Sequence, residues 1–368
     1  MDFSLNETQQ MLSDSIARYT VRELAQASGF VPAHWEQLAE MGLLSLSVPE
    51  SLGGLGGNAV DVACVMEQLG RGCARTPYPF SAVYAGTLLI EAGNDVQHEH
   101  LLGAFAAGDT MFACAVYETE ARHDLLPLST RAEPCDGGFV LNGHKSNIWY
   151  GEHASHVIVA ARTQGAPDDE TGLSLFVLPT DAPGLCWRHF PTVDGGSASE
   201  LVLENAAVTL DQLLGPSGEA YVVIRNAERR ATASLVAEGV GLAAKMLDMT
   251  IEYVRTRKQF NQVIGGFQAL QHRMVDMLIE VEQARSLSWY AAASFEATDV
   301  LAQDRAVSAA KARVGIAGRK VGQEAIQLHG GIGMTDELPL SRYFKRLLAI
   351  EQSLGDTAFH VARFSRFE

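Results

Sequence analysis

Two short segments near the C-terminal end of the chain carry side chains that could bind phosphate groups. The first is RTRKQF at residues 255–260, which is followed by FQALQHRM at residues 267–274. Arg257 offers a planar guanidinium that matches pyrophosphate oxygens, Phe260 can cover an adenine ring, and Gln268 can form a hydrogen bond. Taken alone, the same residues also fit a solvated basic turn between two helices.

The second segment is QLHGGIGM at residues 327–334, which has three glycines within four positions. Glycines let a phosphate approach backbone N–H groups closely. A glycine directly after a helix is also a common way for that helix to end. The pattern is not a dinucleotide-binding fingerprint, because no strand precedes it and the glycine spacing differs.

The chain divides into three stretches by residue pattern. Residues 1–110 have helical periodicity, residues 111–216 contain short strand-like runs, and residues 217–368 return to long helical patterns. Long helices joined by short loops pack as antiparallel neighbours. The sequence therefore predicts an α+β fold with an N-terminal helical domain, a middle β-barrel or sandwich-like domain and a C-terminal four-helix bundle.

Local signals add detail to this outline. Asn6 and Gln9 resemble a capping box that opens the first helix. Pro49 and the four glycines that follow it predict a flexible loop, and Asn142-Gly143 is typical of a hairpin turn. Long helices are expected over about 221–257, 268–297 and 301–329, with a last helix from Leu340.

Composition limits the classes of partner and location. The net charge of −16 opposes nucleic-acid binding, which depends on clustered Lys and Arg. No apolar run reaches the roughly 18–20 residues that span a bilayer, and the N-terminal residues lack the pattern of a signal peptide. Five scattered cysteines without CxxC spacing predict free thiols in a reducing cytoplasm. No histidine spacing predicts a metal site.

The two phosphate-binding segments belong to a wider resemblance. RTRKQF, FQALQH and QLHGGIGM, in this order, resemble the C-terminal domain of acyl-CoA dehydrogenases, and residues 35–57 resemble that family's N-terminal signature. The likeness covers essentially the whole chain. The C-terminal motifs are most similar to the smaller subunits of paired bacterial acyl-CoA dehydrogenases of the pimeloyl-CoA and steroid side-chain type. Such a subunit would act in lipid or steroid degradation.

The resemblance implies a flavoprotein oxidoreductase that desaturates an acyl-CoA between its α and β carbons and passes electrons to an electron-transfer flavoprotein. A carboxylate would remove the α-proton while FAD accepts the β-hydride, with the flavin ring against the β domain. FAD would lie at a subunit interface. Its pyrophosphate and adenosine end would be held by positions on the neighbouring subunit that match Arg257, Phe260, Gln268, Gln327 and Gly331.

The resemblance also points to a base. The family's glutamate lies nine residues after an arginine that opens the last helix, and counting from Arg342 gives Glu351. The family's Glu-Gly-Thr is Glu-Gln-Ser here, whereas a Gly-Asp-Thr follows slightly later, so Asp356 is a competing register. Glu351 also fits an ordinary helix-surface glutamate. Some relatives carry the base near the start of the long helix, where this chain has Ala231, with Glu228 one turn away.

The middle domain departs from the family where the flavin ring would bind. The Thr-Glu-Pro-Gly-Ala-Gly-Ser-Asp-like loop of catalytic members is YETEARHD at residues 117–124, so bulk and charge replace its glycines. A tryptophan and a threonine that flank the flavin are replaced by Asn147 and Trp149. These changes predict that flavin does not bind this β domain in the usual way. A site adapted to another substrate, which still binds flavin, is the alternative.

Three functional hypotheses follow from these residues. In the first, the chain pairs with a non-identical catalytic subunit in a heterotetramer and holds FAD whose flavin lies on that partner. In the second, it is a self-sufficient homotetrameric dehydrogenase with Glu351 as the base. In the third, it is a non-catalytic CoA-binding or assembly protein of the same fold. No residue identifies the acyl group.

Overall fold

Helices occupy both ends of the chain and strands occupy its middle. The computed structural model describes residues 5–24, 29–335 and 337–366. In these residues the α-helices are α1 (Glu7–Tyr19), α2 (Pro32–Glu40), α3 (Ala59–Arg71), α4 (Gly86–Ala92), α5 (Asp95–Gln97), α6 (Gly103–Ala106), α7 (Tyr221–Thr256), α8 (Gln268–Ser294), α9 (Val300–His329), α10 (Leu340–Gln352) and α11 (Thr357–Ser365). Short π-helical segments include Thr20–Leu24 and Pro79–Ala85.

The strands form one large sheet and one small hairpin. They are β1 (Phe112–Ala115), β2 (Arg131–Cys135), β3 (Gly138–Trp149), β4 (His156–Arg162), β5 (Leu173–Pro179), β6 (Leu185–Pro191), β7 (Ser197–Thr209), β8 (Leu213–Leu214), β9 (Lys258–Gln259) and β10 (Gln262–Val263). Within the described residues the large sheet has the order β6-β7-β3-β2-β4-β5-β8, and β1 pairs with β4. The predicted α+β class, with helical ends and a β-rich middle, is therefore confirmed.

Contacts divide the chain into two compact units. Unit one contains the described residues of 1–29, 59–75 and 232–368, and unit two contains residues 30–58 and 76–231. Unit one is made of helices and the β9–β10 hairpin, whereas unit two holds the large sheet with α2, α4, α5 and α6. The three-domain division at residues 110 and 216 stays a prediction.

Small apolar side chains bring the long helices of unit one close together. Its buried core contains Val236 and Val240 of α7, Ala284 of α8, and Ala310 and Val314 of α9. Alanine and valine leave little space between helix backbones, so burial of apolar surface along these helices stabilises the bundle. The predicted helix starts at residues 221, 268 and 340 agree with the structure, although α8 ends at Ser294 rather than near residue 297.

A buried ion pair joins α7 to α10 inside unit one. Arg346 donates to both carboxylate oxygens of Glu238, from Nε at 2.6 Å and from a terminal nitrogen at 2.8 Å, and both side chains are buried. This two-bond geometry satisfies each charge in a place that water does not reach.

The sheet of unit two has a core built from alternate residues of neighbouring strands. Its buried members include Leu141 of β3, Val157 of β4, Phe176 of β5 and Leu201 of β7. β4 and β5 are buried along most of their length, which fits their almost continuous apolar sequences. β2 and β6 are mostly exposed and lack a long apolar run, and for that reason the residue pattern did not predict them.

Two local expectations are wrong. Asn142-Gly143 does not form a hairpin turn, because both residues lie within β3, next to a register shift against β7. The segment after Pro49 is an ordered series of turns rather than a flexible loop. There the N–H groups of Gly54 and Gly57 donate to the carbonyls of Pro49 and Leu46, at 3.0 and 2.7 Å.

The predicted capping box at the start of α1 is present, since Asn6 and Gln9 exchange side chain–backbone hydrogen bonds. None of the helices in the described residues has the length and apolar character needed to cross a bilayer.

Replacing Arg346 by Met should lower the free energy of unfolding by about 3–5 kcal/mol, because Glu238 is then buried without a counter-charge. The double variant Glu238→Leu/Arg346→Met should regain most of this loss, since neither charge of the pair remains. Urea unfolding of both variants measures the difference. A double variant as unstable as the single one would contradict this account of the pair.

Candidate functional site

The RTRKQF segment forms a tight hairpin that presents an aromatic side chain to solvent. β9 and β10 pair antiparallel, and Phe260 and Asn261 between them have positive φ values of 52° and 62°. A two-residue turn of this kind usually takes Asn-Gly, because a bulky residue is strained in the left-handed region. Phe260 is nevertheless 84% exposed. A strained and exposed aromatic ring is suited to contact a molecule outside this chain.

Arg257 and Gln268 stand at either end of this hairpin. The Arg257 carbonyl accepts a hydrogen bond from the Ile264 N–H at 2.9 Å, which fixes its backbone. Its side chain is exposed and has no ion-pair partner among the described residues. Gln268 is the exposed first residue of α8. Both side chains are therefore available to an anionic ligand.

The QLHGGIGM segment lies beside this hairpin because of one ring contact. His329, the last residue of α9, stacks on Tyr253 of α7 with ring centres 4.4 Å apart. Its Nδ1 lies 2.8 Å from the Ala325 carbonyl, and burial lowers the pKa of the imidazole. Tyr253 is one helical turn before Arg257, whose N–H donates to the Tyr253 carbonyl. This contact places the end of α9 against the last turn of α7, from which the first predicted phosphate-binding segment continues.

Glycines open the end of α9 to a ligand. Gly330 has a φ of +65° and a ψ of −143°, a conformation that other residues rarely adopt. A Cβ atom added to Gly331 would meet no heavy atom within 4 Å, and Gln327 is exposed one turn earlier. These residues, with Arg257, Phe260 and Gln268, fit a pyrophosphate and an adenine ring. We refer to the five residues Arg257, Phe260, Gln268, Gln327 and Gly331 as the nucleotide cradle.

Glu351, the predicted base, lies at the end of α10 and is buried. Its Oε1 accepts hydrogen bonds from the Thr357 hydroxyl at 2.7 Å and from the Thr357 N–H at 3.2 Å, and Arg319 lies 3.5 Å away. Its Oε2 has no hydrogen-bond partner. A Cβ atom at Gly315 of α9 would lie 1.9 Å from that oxygen, so only glycine leaves room for it. Glu351 therefore links α10 to α11 and keeps one oxygen without a partner.

Asp356, the competing register, caps α11. Its side chain accepts from the Phe359 N–H at 2.8 Å, which is the ordinary role of an aspartate at a helix start. This geometry favours Glu351 over Asp356 as a proton acceptor, although the role of either residue stays a prediction.

Lys311 of α9 fixes the turn that follows Glu351. Its buried ammonium donates to the carbonyls of Glu351 at 3.2 Å and Gly355 at 2.5 Å. Burial lowers the pKa of Lys311 to about 8, against the opposing charges of Glu351 and Asp356. Sequence reasoning missed this residue, whose only signal is a lysine within an alanine-rich helix.

The loop at residues 117–124 is anchored by a buried ion pair in unit two. Glu118 accepts from Lys145 Nζ at 2.7 Å and from the N–H groups of Ser129 at 2.6 Å and Thr130 at 2.9 Å. Burial alone would raise the pKa of Glu118, but Lys145 and these hydrogen bonds lower it overall. Burial also lowers the pKa of Lys145 to about 8. At neutral pH the pair is ionised and holds the loop in place.

A strained turn follows this anchor. The Asp124 N–H donates to the Ala121 carbonyl at 3.0 Å, and Arg122 between them has a φ of 56° and a ψ of −104°. Glycine is the residue that normally takes this conformation. Arg122 is exposed, and its guanidinium has no partner among the described residues. At residue 122 the loop thus keeps a backbone conformation that is typical of glycine, the residue that the family has here, although this chain has arginine.

Aromatic side chains fill the end of β3, where the resemblance places the flavin ring. Trp149 lies parallel to Phe80, with ring centres 4.3 Å apart and an interplanar angle of 8°, and it meets Tyr117 edge-on. Asn147 has a left-handed φ of 54°. A flavin ring needs a flat open slot, and the Trp149–Phe80 stack occupies such a space itself. The residues present here do not fit a flavin.

Glu228 is not a free base either. Its Oε1 accepts from the Tyr117 hydroxyl at 3.0 Å and its Oε2 from Arg225 at 2.6 Å. Arg225 also lies 3.7 Å from Asp124. This buried polar network ties the start of α7 to the 117–124 loop, and the sequence pattern did not reveal it.

Three sequence profiles of one family cover nearly the whole chain. They are the N-terminal domain (residues 6–109), the middle domain (113–206) and the C-terminal domain (223–366) of acyl-CoA dehydrogenase. The chain belongs to the acyl-CoA dehydrogenase family. FAD is its cofactor, and the α+β arrangement is that of the family fold.

Similar proteins agree with this assignment. The probable acyl-CoA dehydrogenase YngJ of Bacillus subtilis is 28% identical over 367 residues, which cover 96% of each chain. The structure of PigA in complex with FAD has a TM-score of 0.91 at 26% identity, and covers 100% of this chain and 98% of that one. A chain of the ChsE4–ChsE5 complex from Mycobacterium tuberculosis has a TM-score of 0.88 at 28% identity, with the same coverage.

Replacing Arg122 by Gly should raise the free energy of unfolding by about 1 kcal/mol, because glycine adopts this turn without strain. The same change at exposed Arg131, whose φ is not positive, should instead destabilise the sheet. Urea unfolding of the two variants compares them directly. A loss of stability in Arg122→Gly would show that the turn is not strained.

Proposed function

We infer that this acyl-CoA dehydrogenase works as a subunit that holds the nucleotide end of FAD, while a non-identical partner seats the flavin ring and carries the base. The observation that carries this proposal is the contrast between two sites. The nucleotide cradle is open and exposed, whereas the Trp149–Phe80 stack fills the place of the flavin on this chain. One cofactor would then be shared between two chains.

The surface of α8 supports a partner chain. Val275, Leu278 and Ile279 are 52%, 46% and 47% exposed, and their spacing places them on one face of the helix. They continue into a shallow groove that Ile251 and Met274 help to line. An apolar stripe of this kind beside an exposed Phe260 is typical of a protein interface. This chain is also similar to a chain of the ChsE4–ChsE5 complex, and that complex of two different proteins favours a non-identical partner here.

The chemistry of the assembly would divide between the chains. Bound FAD supplies a two-electron acceptor for the hydride from the β carbon of an acyl-CoA. On this chain, the Arg257 guanidinium neutralises pyrophosphate charge, Phe260 covers the adenine, and the backbone at Gly331 allows close approach of an oxygen. A carboxylate on the partner would take the α-proton, and an electron-transfer flavoprotein would be the electron acceptor of the assembly. The five free cysteines support a cytoplasmic location.

A self-sufficient homotetramer is the second candidate function. Glu351 Oε2 is buried without a hydrogen-bond partner, so this oxygen is not engaged by the fold. Against this, Oε1 is bound to Thr357 and the β domain has no open flavin slot.

Flavin content tests the division of labour. The chain expressed alone should bind little FAD, because it offers only the nucleotide half of the site. Co-expression with an acyl-CoA dehydrogenase encoded next to it should give a complex with flavin absorbance. A control with Phe260→Ala in the co-expressed complex should lose FAD more readily. One FAD per chain in the protein expressed alone would establish the homotetramer instead.

The Arg257→Ala variant should weaken FAD binding to the complex by about 1.5–3 kcal/mol, since a charge-assisted contact to pyrophosphate is lost. Arg255→Ala, which removes an exposed guanidinium two residues earlier, is the matched control and should leave FAD affinity unchanged. Fluorescence of released flavin on dilution measures both. Equal retention of FAD by the two variants would remove Arg257 from the cradle.

Turnover by Glu351→Gln decides which chain carries the base. We expect activity of the complex to survive, because glutamine can still accept the Thr357 hydrogen bonds and the working base lies on the partner. Loss of a general base typically costs about two to four orders of magnitude in rate. Such a loss with FAD still bound, measured by substrate bleaching of the flavin, would make Glu351 the base and support the homotetramer.

A further inference from the structure

A cavity of about 440 Å³ lies within unit one and has no role in the proposed function. It is formed by α1 and the π-helical segment after it, the end of α3, the middle of α7 and the start of α10. The volume falls in the range of pockets that bind small molecules.

The cavity is strongly basic in an acidic protein. Arg71, Arg75, Lys245 and Arg342 line it, and none of the described lining residues is acidic. The whole chain has a net charge of −16, so this local excess of cations runs against its composition. Arg71 is paired with Asp248 at 2.5 Å. A cavity with this charge attracts anions.

The cations of the cavity differ in whether they form hydrogen bonds within the chain. Arg75 is buried and donates to the carbonyls of Cys73 at 2.9 Å and Arg342 at 3.3 Å, so it braces the wall of the cavity. Lys245 is different, because its ammonium has no hydrogen bond or ion pair among the described residues, although the side chain is half-buried. Lys245 therefore lines the cavity with an ammonium group that no described residue of this chain neutralises.

The wall itself is strained at one point. α3 ends at Arg71, and Cys73 beyond it has a left-handed φ of 52°, where helices usually place glycine. Strained backbone tends to persist at binding sites, where neighbouring structure holds it. The lining also has an apolar part, which includes Ala17, Val21 and Met249.

We propose that this cavity binds a small molecule that carries phosphate groups together with an apolar or aromatic part. Its cations match phosphate oxygens and its α1 side matches a ring or a short chain. A free nucleotide and the nucleotide end of CoA share this chemistry. None of its lining residues belongs to the nucleotide cradle, and Lys245 lies twelve residues before Arg257, about 18 Å along α7. The site is therefore distinct from the one proposed for FAD.

The Arg257→Ala variant is the background for testing the cavity, because it weakens nucleotide binding at the cradle. Titration calorimetry of that variant with ADP, CoA and inorganic phosphate should detect binding of at least ADP or CoA. Tighter binding of CoA than ADP identifies CoA as the source, and the reverse identifies a free nucleotide. The affinity should fall as salt concentration rises. If none of the three probes gives a binding heat, the proposal is overturned.

Two further changes place the ligand in the cavity. In the Arg257→Ala background, Lys245→Ala should weaken binding about tenfold or more, since a charge-assisted contact is lost. Lys345→Ala, which removes an exposed lysine of α10 that does not line the cavity, should leave the affinity unchanged. Met249→Trp should block binding by filling space while every charge remains. Equal affinity in Lys245→Ala and Lys345→Ala would show that the ligand binds elsewhere.

Discussion

Trp149 lies flat on Phe80, and this one contact limits what unit two can hold. The ring of Trp149 is fixed further by Tyr117, which is bonded to Glu228, and by the buried Glu118–Lys145 pair that anchors the loop in front of it. Opening the stack would expose two large rings and loosen a network in which each buried polar group has a partner. The β domain of this chain thus fills with aromatic rings the space next to the end of β3. Under the proposed function, the rest of the cofactor site lies on another chain.

The nucleotide cradle in unit one is open, in contrast to the filled space beside Trp149. All five of its residues are exposed, and two of the backbone positions beside them, at Phe260 and Gly330, adopt conformations that unbound chains avoid. An open set of contacts cannot exclude water from a cofactor, so its affinity depends on a second surface closing over it. Under the proposed function, a partner bound at the apolar stripe on α8 provides this second surface. Glu351 is buried and hydrogen-bonded to Thr357, so it connects α10 to α11.

Sequence reasoning predicted the fold well because its signals are periodic and long. Helix starts at residues 221, 268 and 340 follow from apolar spacing, and the family resemblance supplied the order of the domains. The pattern did not predict exposed strands such as β6, nor the position of Asn142-Gly143 within β3, because pairing partners far along the chain decide both. It also missed Lys311 and the Tyr253–His329 contact. These arise where distant segments meet, and no local pattern encodes them.

Phe260 has an evolutionary consequence. At this turn asparagine or glycine would relieve the backbone, and the exposed phenyl ring gains only an edge-on contact with Phe267 from its own chain. Random substitution would soon replace such a residue if it had no use, since nearly every alternative is easier to accommodate. A subunit that had ceased to touch a cofactor would lose this phenylalanine before it lost its helices. Under the proposed function, the identity of residue 260 would therefore distinguish related subunits that contact the cofactor from subunits that have lost this contact.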